Sequence, residues 1–415
     1  MSSLDSSSQR TLERTRKGRF LVSPGAHVLR RLLSRLHVGR LVVQLPSGES
    51  CEGRGPVPGP EASLRIVHHR ALRRLFSRGD VGLAEGFIEG DWTSPDLVAL
   101  MRLAAANSPH IGAFVSGSPI FRLLNRMQLR FKSNSRRGSR SNIMSHYDLG
   151  NEFFQLWLDP TLLYSSAVWH EDTPDLESAQ QNKLARIVES LGIRGGEHVL
   201  EIGCGWGALA RRLVEAGAGR VTGLTLSPSQ LAFAQKSLAG VEAGEKVDLR
   251  LQDYRDVSGQ FDRVVSIEMI EAVGEAYWPA YFGKIAQVLK SGGRALIQAI
   301  TIEDERFDDY RARPDFIQRH IFPGGFLPCP TAMAQQAERA GLRLVSVENF
   351  GLSYAKTLAE WRRRFEARRD EVAAQGFDER FQRLWTYYLC YCEAAFREKA
   401  TDVGFYLLEK TGASA

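Results

Sequence analysis

Val199-Leu-Glu-Ile-Gly-Cys-Gly-Trp-Gly207 is the stretch that decides the fold. An apolar strand runs into three alternate glycines, Gly203, Gly205 and Gly207, and a helical segment follows at once. Glycine permits a tight turn and lets backbone approach a ligand at a helix N-terminus. The spacing is G-x-G-x-G rather than G-x-G-x-x-G, which disfavours a dinucleotide pyrophosphate. Glu201, just ahead of the turn, suits a ligand's amine better than a phosphate. Outward from this point, strands are expected at 198–202, 220–225, 247–252, 262–267 and 294–301, with helices between them, as at 208–216 and 227–238. Segments 343–347 and 403–408 supply closing strands. Such alternation implies an α/β fold, a mostly parallel sheet with helices on both faces. The second strand enters Gly223-Leu-Thr-Leu-Ser-Pro-Ser-Gln230, where Thr225 is placed to hold a ribose. Asp253 and Tyr254 follow the third strand, where an adenine would lie.

The chain has 415 residues, 43% hydrophobic and 25% charged. That composition is globular and excludes a disordered or collagen-like chain. No apolar run approaches a membrane span, and residues 1–20 lack an apolar signal core. The five cysteines are at no metal-ligand spacing, so no metal site is expected and reduced thiols in a cytoplasmic chain fit best. Residues 1–140 hold 23 Lys and Arg against 10 Asp and Glu, whereas 141–415 hold 31 against 38. A basic front on a mildly acidic rear suggests an anionic surface as partner. No Asn/Asp-Pro-Pro-Tyr base-flipping segment occurs, which argues against nucleic acid and leaves an anionic membrane leaflet.

Residues 1–18 read as a disordered tail. Residues 19–117 read as a small α+β domain, with a helix at 25–37 and strands at 40–45 and 63–67 around a Gly/Pro-rich turn, 47–60. Residues 118–141 form a linker. Within it Ile120, Leu124, Met127 and Phe131 fall on one helical stripe opposite Arg122, Arg126 and Arg130, and the basic run 132–140 follows. This reads as a basic amphipathic helix on anionic lipid or as a linker helix packed on the protein. Residues 142–415 form the α/β domain.

The turn 201–207 resembles that of class I S-adenosylmethionine (SAM) methyltransferases. Further segments resemble one family among them, the cyclopropane fatty acid synthases and their mycolic-acid relatives. These are His146–Phe154, Tyr164–Trp169, Gly223–Ser227, Gln252–Asp256, Met269–Gly274, Ile321–Gly325 and Gly351–Leu358. The resemblance spans about residues 20–412. It implies a Rossmann-like seven-stranded sheet behind a front domain like the lipid-binding sterol carrier proteins. It implies SAM contacts from Tyr164, Ser165, Gly203, Gly205, Thr225, Gln230, Asp253 and Tyr254. The implied reaction is methyl transfer to a cis double bond in a phospholipid acyl chain, closing a cyclopropane ring, by an enzyme peripheral at the inner face of the membrane. Whether it is a homo-oligomer stays open.

In the family a bound bicarbonate removes the proton. The resemblance assigns its site to Glu271 and Tyr354, with Ser166 where Cys is usual and Gln298 where His is usual. An amide can donate to the anion but carries no proton. One alternative is therefore a methyl- or methylene-branched product; a further one, resting on the cofactor motifs alone, is a small-molecule methyltransferase. Glu268, close to Glu271, has no family role and reads as structural. Trp385, Tyr387, Tyr388 and Tyr391 read as helix core.

Overall fold

In the computed structural model, which describes residues 24–115, 149–313 and 315–411, eleven strands form two sheets. The expected tail 1–18, the amphipathic helix 118–131, the run 132–140 and His146 lie outside the described residues.

The larger sheet contains β5 (His198–Ile202), β6 (Arg220–Thr225), β7 (Val247–Leu251), β8 (Phe261–Ile267), β9 (Leu289–Ile302), β10 (Leu342–Asn349) and β11 (Thr401–Lys410). Its order is β10-β11-β9-β8-β5-β6-β7. The pairs from β7 across to β9 are parallel, and β11 alone runs against the rest. This is the class I methyltransferase sheet. β5 and β6 are buried almost throughout, as strands covered on both faces must be. β6 and β8 flank β5 on opposite sides, so the winding reverses there. The cleft beyond the carboxyl ends of β5 and β8 is the topological switch point, where such sheets bind ligands.

The front sheet has β1 (Val38–Gln44), β2 (Ser50–Arg54), β3 (Val57–Ile66) and β4 (Trp92–Thr93) in the order β2-β1-β3-β4. Helices Pro24–Leu33, Arg70–Ile88 and Leu97–Val115 accompany it. The segment 47–60, expected as a turn, in fact holds β2 and the start of β3. Its glycines serve close packing: a Cβ on Gly53 would lie 2.5 Å from the Leu33 carbonyl oxygen, and one on Gly55 2.3 Å from the His37 carbonyl carbon. Pro58 and Pro60 are tolerated because β3 meets β4 only at Arg65 and Ile66, which leaves that flank without a ladder.

The two sheets share an apolar core. Leu33, Val43, Phe87 and Trp92 belong to one cluster with Tyr387, Trp385, Phe153 and Trp361. The long helix Glu379–Arg397 is the common element. Its residues Trp385, Tyr387 and Tyr388 are buried, as expected of a helix core. Arg383 donates to the carbonyls of Phe87 (2.6 Å) and Trp92 (3.2 Å), and its guanidinium lies 4.4 Å from the Phe87 ring centroid. Arg380 pairs with Glu89 and Arg102 with Glu398 across the same seam.

Continuity of this core predicts one cooperative unfolding transition. Arg383→Ala should lower stability by about 2–3 kcal/mol, since two carbonyls lose charged donors. Denaturant unfolding followed by fluorescence and circular dichroism checks this; a separate early transition for the front sheet would contradict it.

Candidate active site

The glycine turn sits at the switch point. Gly203, Gly205 and Gly207 have φ of 87°, 51° and 89°, a region that L side chains rarely adopt. They differ in what surrounds them. A Cβ on Gly207 would press on Ala234 at 3.0 Å, so that glycine seats the helix Ala208–Glu215 against Pro228–Leu238. A Cβ on Gly205 would meet nothing within 4 Å, so its backbone faces open space. The amides of Gly203 and Cys204 donate to the Leu224 carbonyl, tying the turn to β6. Asn151 braces it from outside, accepting from Trp206 Nε1 (2.8 Å) and reaching the Ser229 carbonyl (3.4 Å).

Thr225 is buried, but its hydroxyl is already engaged. It donates to Gln230 Oε1 (2.9 Å) and accepts from the Ser227 amide (3.1 Å). It therefore orders Gln230 and the helix cap, with one lone pair remaining towards the place expected for a ribose. Asp253 accepts from Arg255 at 2.6 and 2.8 Å and caps the turn Tyr254–Asp256, which places Tyr254 with its hydroxyl pushed up to about 12 by burial. Glu201 is buried with Oε2 unpartnered, and burial pushes its carboxyl up to about 8. An orphaned acidic oxygen beside an open glycine backbone fits the ammonium and methionine end of SAM.

Across the cleft lies an arrangement centred on Glu268. This residue follows β8 with φ of 47°, unusual for a residue with a side chain. Its amide donates to the Gln298 carbonyl (2.8 Å), which holds it against β9. Its Oε1 accepts from the Ser166 amide and from Gln298 Nε2, each at 2.7 Å, and its Oε2 accepts from the Tyr354 hydroxyl at 2.7 Å. Burial pushes the carboxyl up, while these donors and the Lys183 ammonium pull it back. Ser166, Gln298, Tyr354 and Lys183 are buried, whereas Glu268 keeps intermediate exposure. Lys183 donates to Ser165 Oγ (2.7 Å), and burial pushes its ammonium down to about 8.

Ser166, Gln298 and Tyr354 thus converge as expected, but on Glu268 and not on Glu271. Glu271 accepts from the Ile300 amide (2.6 Å), and its carbonyl accepts from Phe326. Its Oε2 has no partner, and burial with the nearby Glu268 charge pushes it up to about 8. The Ser166 hydroxyl donates to the Ala167 carbonyl (2.9 Å), so it is the main-chain amide that contributes. An amide is the same in Ser and Cys, which removes the weight placed on that substitution. Glu268, read from the sequence as structural, takes the donors that the resemblance assigns to the anion, and a bicarbonate does not fit here: the three donors expected to hold it already hold a side-chain carboxylate. Lys183 and Asn151 also belong to the site; for Lys183 the sequence signal is a lysine among the apolar positions Leu184 and Ile187 of its helix.

Tyr164 lies between the two halves. Its hydroxyl is 2.9 Å from that of Tyr388, and its ring packs on Phe154, Trp157 and Trp361. These three rings are fully buried, and Phe154 also packs on Trp206 of the glycine turn.

The sheet, the glycine turn and the orphaned Glu201 define a SAM-dependent methyltransferase. Residues 134–405 match the family model described as mycolic acid cyclopropane synthetase. Tuberculostearic acid methyltransferase UfaA1 of Mycobacterium tuberculosis is 37% identical, covering 94% of this chain and 93% of that one. Cyclopropane-fatty-acyl-phospholipid synthase of Escherichia coli is 35% identical over 81% and 85%. The crystal structure of mycolic acid cyclopropane synthase CmaA1 complexed with SAH and CTAB superposes with a TM-score of 0.61, at 32% identity over 65% of this chain and 98% of that one. The chain belongs to the mycolic acid cyclopropane synthetase family.

Glu201 gives a pH test. Its folded pKa of about 8 lies above the ordinary 4.5, so the unliganded protein folds with it protonated. Its contribution is intact below about 4.5 and is lost as pH rises through 8. Glu201→Gln, neutral at every pH, should raise the melting temperature at pH 8.5 and leave it unchanged near pH 5. Equal shifts at both would show that Glu201 is already ionised in the apo protein.

Proposed function

We propose that this enzyme transfers a methyl group to the cis double bond of an unsaturated acyl chain in a membrane phospholipid and closes it to a cyclopropane ring. The observation that carries the reading is the arrangement at the switch point: an open glycine turn with the orphaned Glu201 on one side and one carboxylate ringed by donors on the other. Burial pushes the nearby Cys204 thiol well up, which keeps it unreactive. Bound SAM supplies an electrophilic methyl group. The ring of Tyr164, partly exposed and backed by the buried rings of Phe154 and Trp361, offers a π face to developing positive charge. Glu201 holds the methionine ammonium, and Asn151 and Leu224 fix the turn that carries it. The relatives named for fatty-acyl-phospholipid and mycolic-acid cyclopropanes support this substrate class.

A methyl-branched product is the second reading. UfaA1, alike over nearly the whole chain, is named for methyl transfer to a fatty acid and not for ring closure, and Gln298 cannot relay a proton. Deuterated SAM bearing a CD3 group separates the two. Ring closure takes one deuterium from that methyl and leaves two in the lipid; proton loss from a chain carbon leaves all three in a methyl-branched alkene, whereas an exocyclic methylene keeps two and differs from the ring in having the transferred carbon olefinic. Mass spectrometry and 13C NMR of the extracted lipid should show a ring product with two; a product retaining three, or one whose transferred carbon is olefinic, would establish branching.

The basic front half supports peripheral attachment to an anionic leaflet from the cytoplasmic side. No helix among the described residues is long and apolar enough to cross a membrane. Sedimentation should recover more protein with anionic than with neutral vesicles, and less at high salt, where the Debye length falls to about 3 Å. Replacing Arg122, Arg126 and Arg130 by Glu should reduce the bound fraction without changing SAM affinity. Binding indifferent to salt and to this change would refute membrane attachment through that segment.

A further inference from the structure

Glu268 occupies the position of an anion. Three donors meet its two oxygens: a main-chain amide and a carboxamide N–H at Oε1, and the Tyr354 hydroxyl at Oε2. Neither the amide of Ser166 nor Nε2 of Gln298 can accept a proton, so Oε1 bears none. With the Tyr354 hydroxyl at Oε2 and two N–H groups at Oε1, the surroundings favour the charged form, against the burial that opposes it. A buried carboxylate survives only when paired and hydrogen-bonded, and Lys183 adds an opposite charge.

The location is that of a reacting centre. Glu268 stands at the carboxyl end of β8, across the switch point from the glycine turn. The next side chain, Met269, is the one a Cβ on Gly203 would strike at 3.2 Å. Ser166 belongs to the same segment as Tyr164 and Ser165, on the cofactor side. Of the network, Glu268 is the member left with open surface, and its left-handed backbone is the strain expected where a site over-determines a residue.

We propose that Glu268 is the general base of this enzyme, a carboxylate built into the chain in place of a bound bicarbonate. The inference rests on the methyl-transfer reading above. The alkene π pair forms a bond to the methyl carbon, and the sulfur–methyl bond breaks with its electrons passing to sulfur, giving S-adenosylhomocysteine and a carbocation on the chain. Glu268 then takes a proton from the new methyl group, and the freed C–H pair closes the ring. In the branched outcome the proton comes from a chain carbon, and the pair forms a double bond. Either way the carboxylate becomes a carboxylic acid and returns its proton to water as product leaves.

Two variants and two measurements test this. Glu268→Gln keeps the shape and removes the base. Glu268→Gly suits the left-handed backbone and opens a hole of carboxylate size. Turnover is measured on vesicles of a cis-unsaturated phosphatidylglycerol in carbonate-free buffer, with and without added bicarbonate or formate. Wild-type turnover should be indifferent to both anions. Each variant should lose about 100-fold or more in kcat while SAM affinity holds. Formate or bicarbonate should restore the Gly variant and not the Gln variant. Independently of any lipid, 13C-bicarbonate should bind the Gly variant and not the wild type, read by NMR. The proposal is overturned if wild-type turnover requires bicarbonate, if either variant keeps turnover within about threefold, if neither anion restores the Gly variant, or if the wild type binds bicarbonate stoichiometrically. If the wild type methylates no lipid, the acyl-chain reading fails, and the NMR measurement still decides whether the chain supplies its own anion.

Discussion

A carboxylate enclosed by protein needs its donors delivered from several directions at once, and Glu268 sets that requirement for this molecule. Four pieces of chain meet it. The segment 164–166 brings an amide, β9 brings the Gln298 carboxamide, the helix Gly351–Ala367 brings Tyr354, and the helix Leu176–Leu191 brings Lys183. Removing one donor leaves a charge under-solvated in a low-dielectric setting, which costs more than an ordinary hydrogen bond. Those segments are therefore fixed relative to one another, and with them both walls of the cleft.

The second constraint is the shared core. A front sheet of four short strands buries too little on its own to be securely stable. Here its helices lie against Glu379–Arg397, whose other side reaches the cleft through Tyr388 and Tyr164. Arg383 closes the seam by capping carbonyls of the front unit. A disturbance of the front unit thus has a physical route to the cofactor side: Phe87 packs on Tyr387, and the hydroxyl of the next residue, Tyr388, meets that of Tyr164. The front half and the methyltransferase half form one packed body at this seam.

Two carboxyls held high by burial, Glu201 and Glu271, contrast with Glu268. Each has an oxygen without a partner, while Glu268 has donors at both oxygens. The difference is one of donor supply. Glu201 stands where a ligand's ammonium can complete it. Glu271 takes one amide from Ile300 and holds the loop that ends at Phe326 through its own carbonyl. Two acidic residues three apart in sequence, on a turn rather than a regular helix, thus face different partners.

The alternation of apolar runs with helical segments determined the large sheet, its strand positions and the glycine turn, because buried parallel strands must be apolar and a tight turn must be glycine. The family resemblance marked Ser166, Gln298 and Tyr354 as a group, together with Glu271. Sequence did not disclose the strands within 47–60, where glycine and proline read as turn formers and only tertiary contact shows that they admit neighbouring backbone. Nor did it separate Glu268 from Glu271. Both are glutamates at the end of one strand, and which one receives the donors depends on the left-handed φ at Glu268 and on the register of β9 beside β8. Those are set by contacts between segments 30, 86 and 102 residues apart in the chain, distances over which local pattern carries no information about direction.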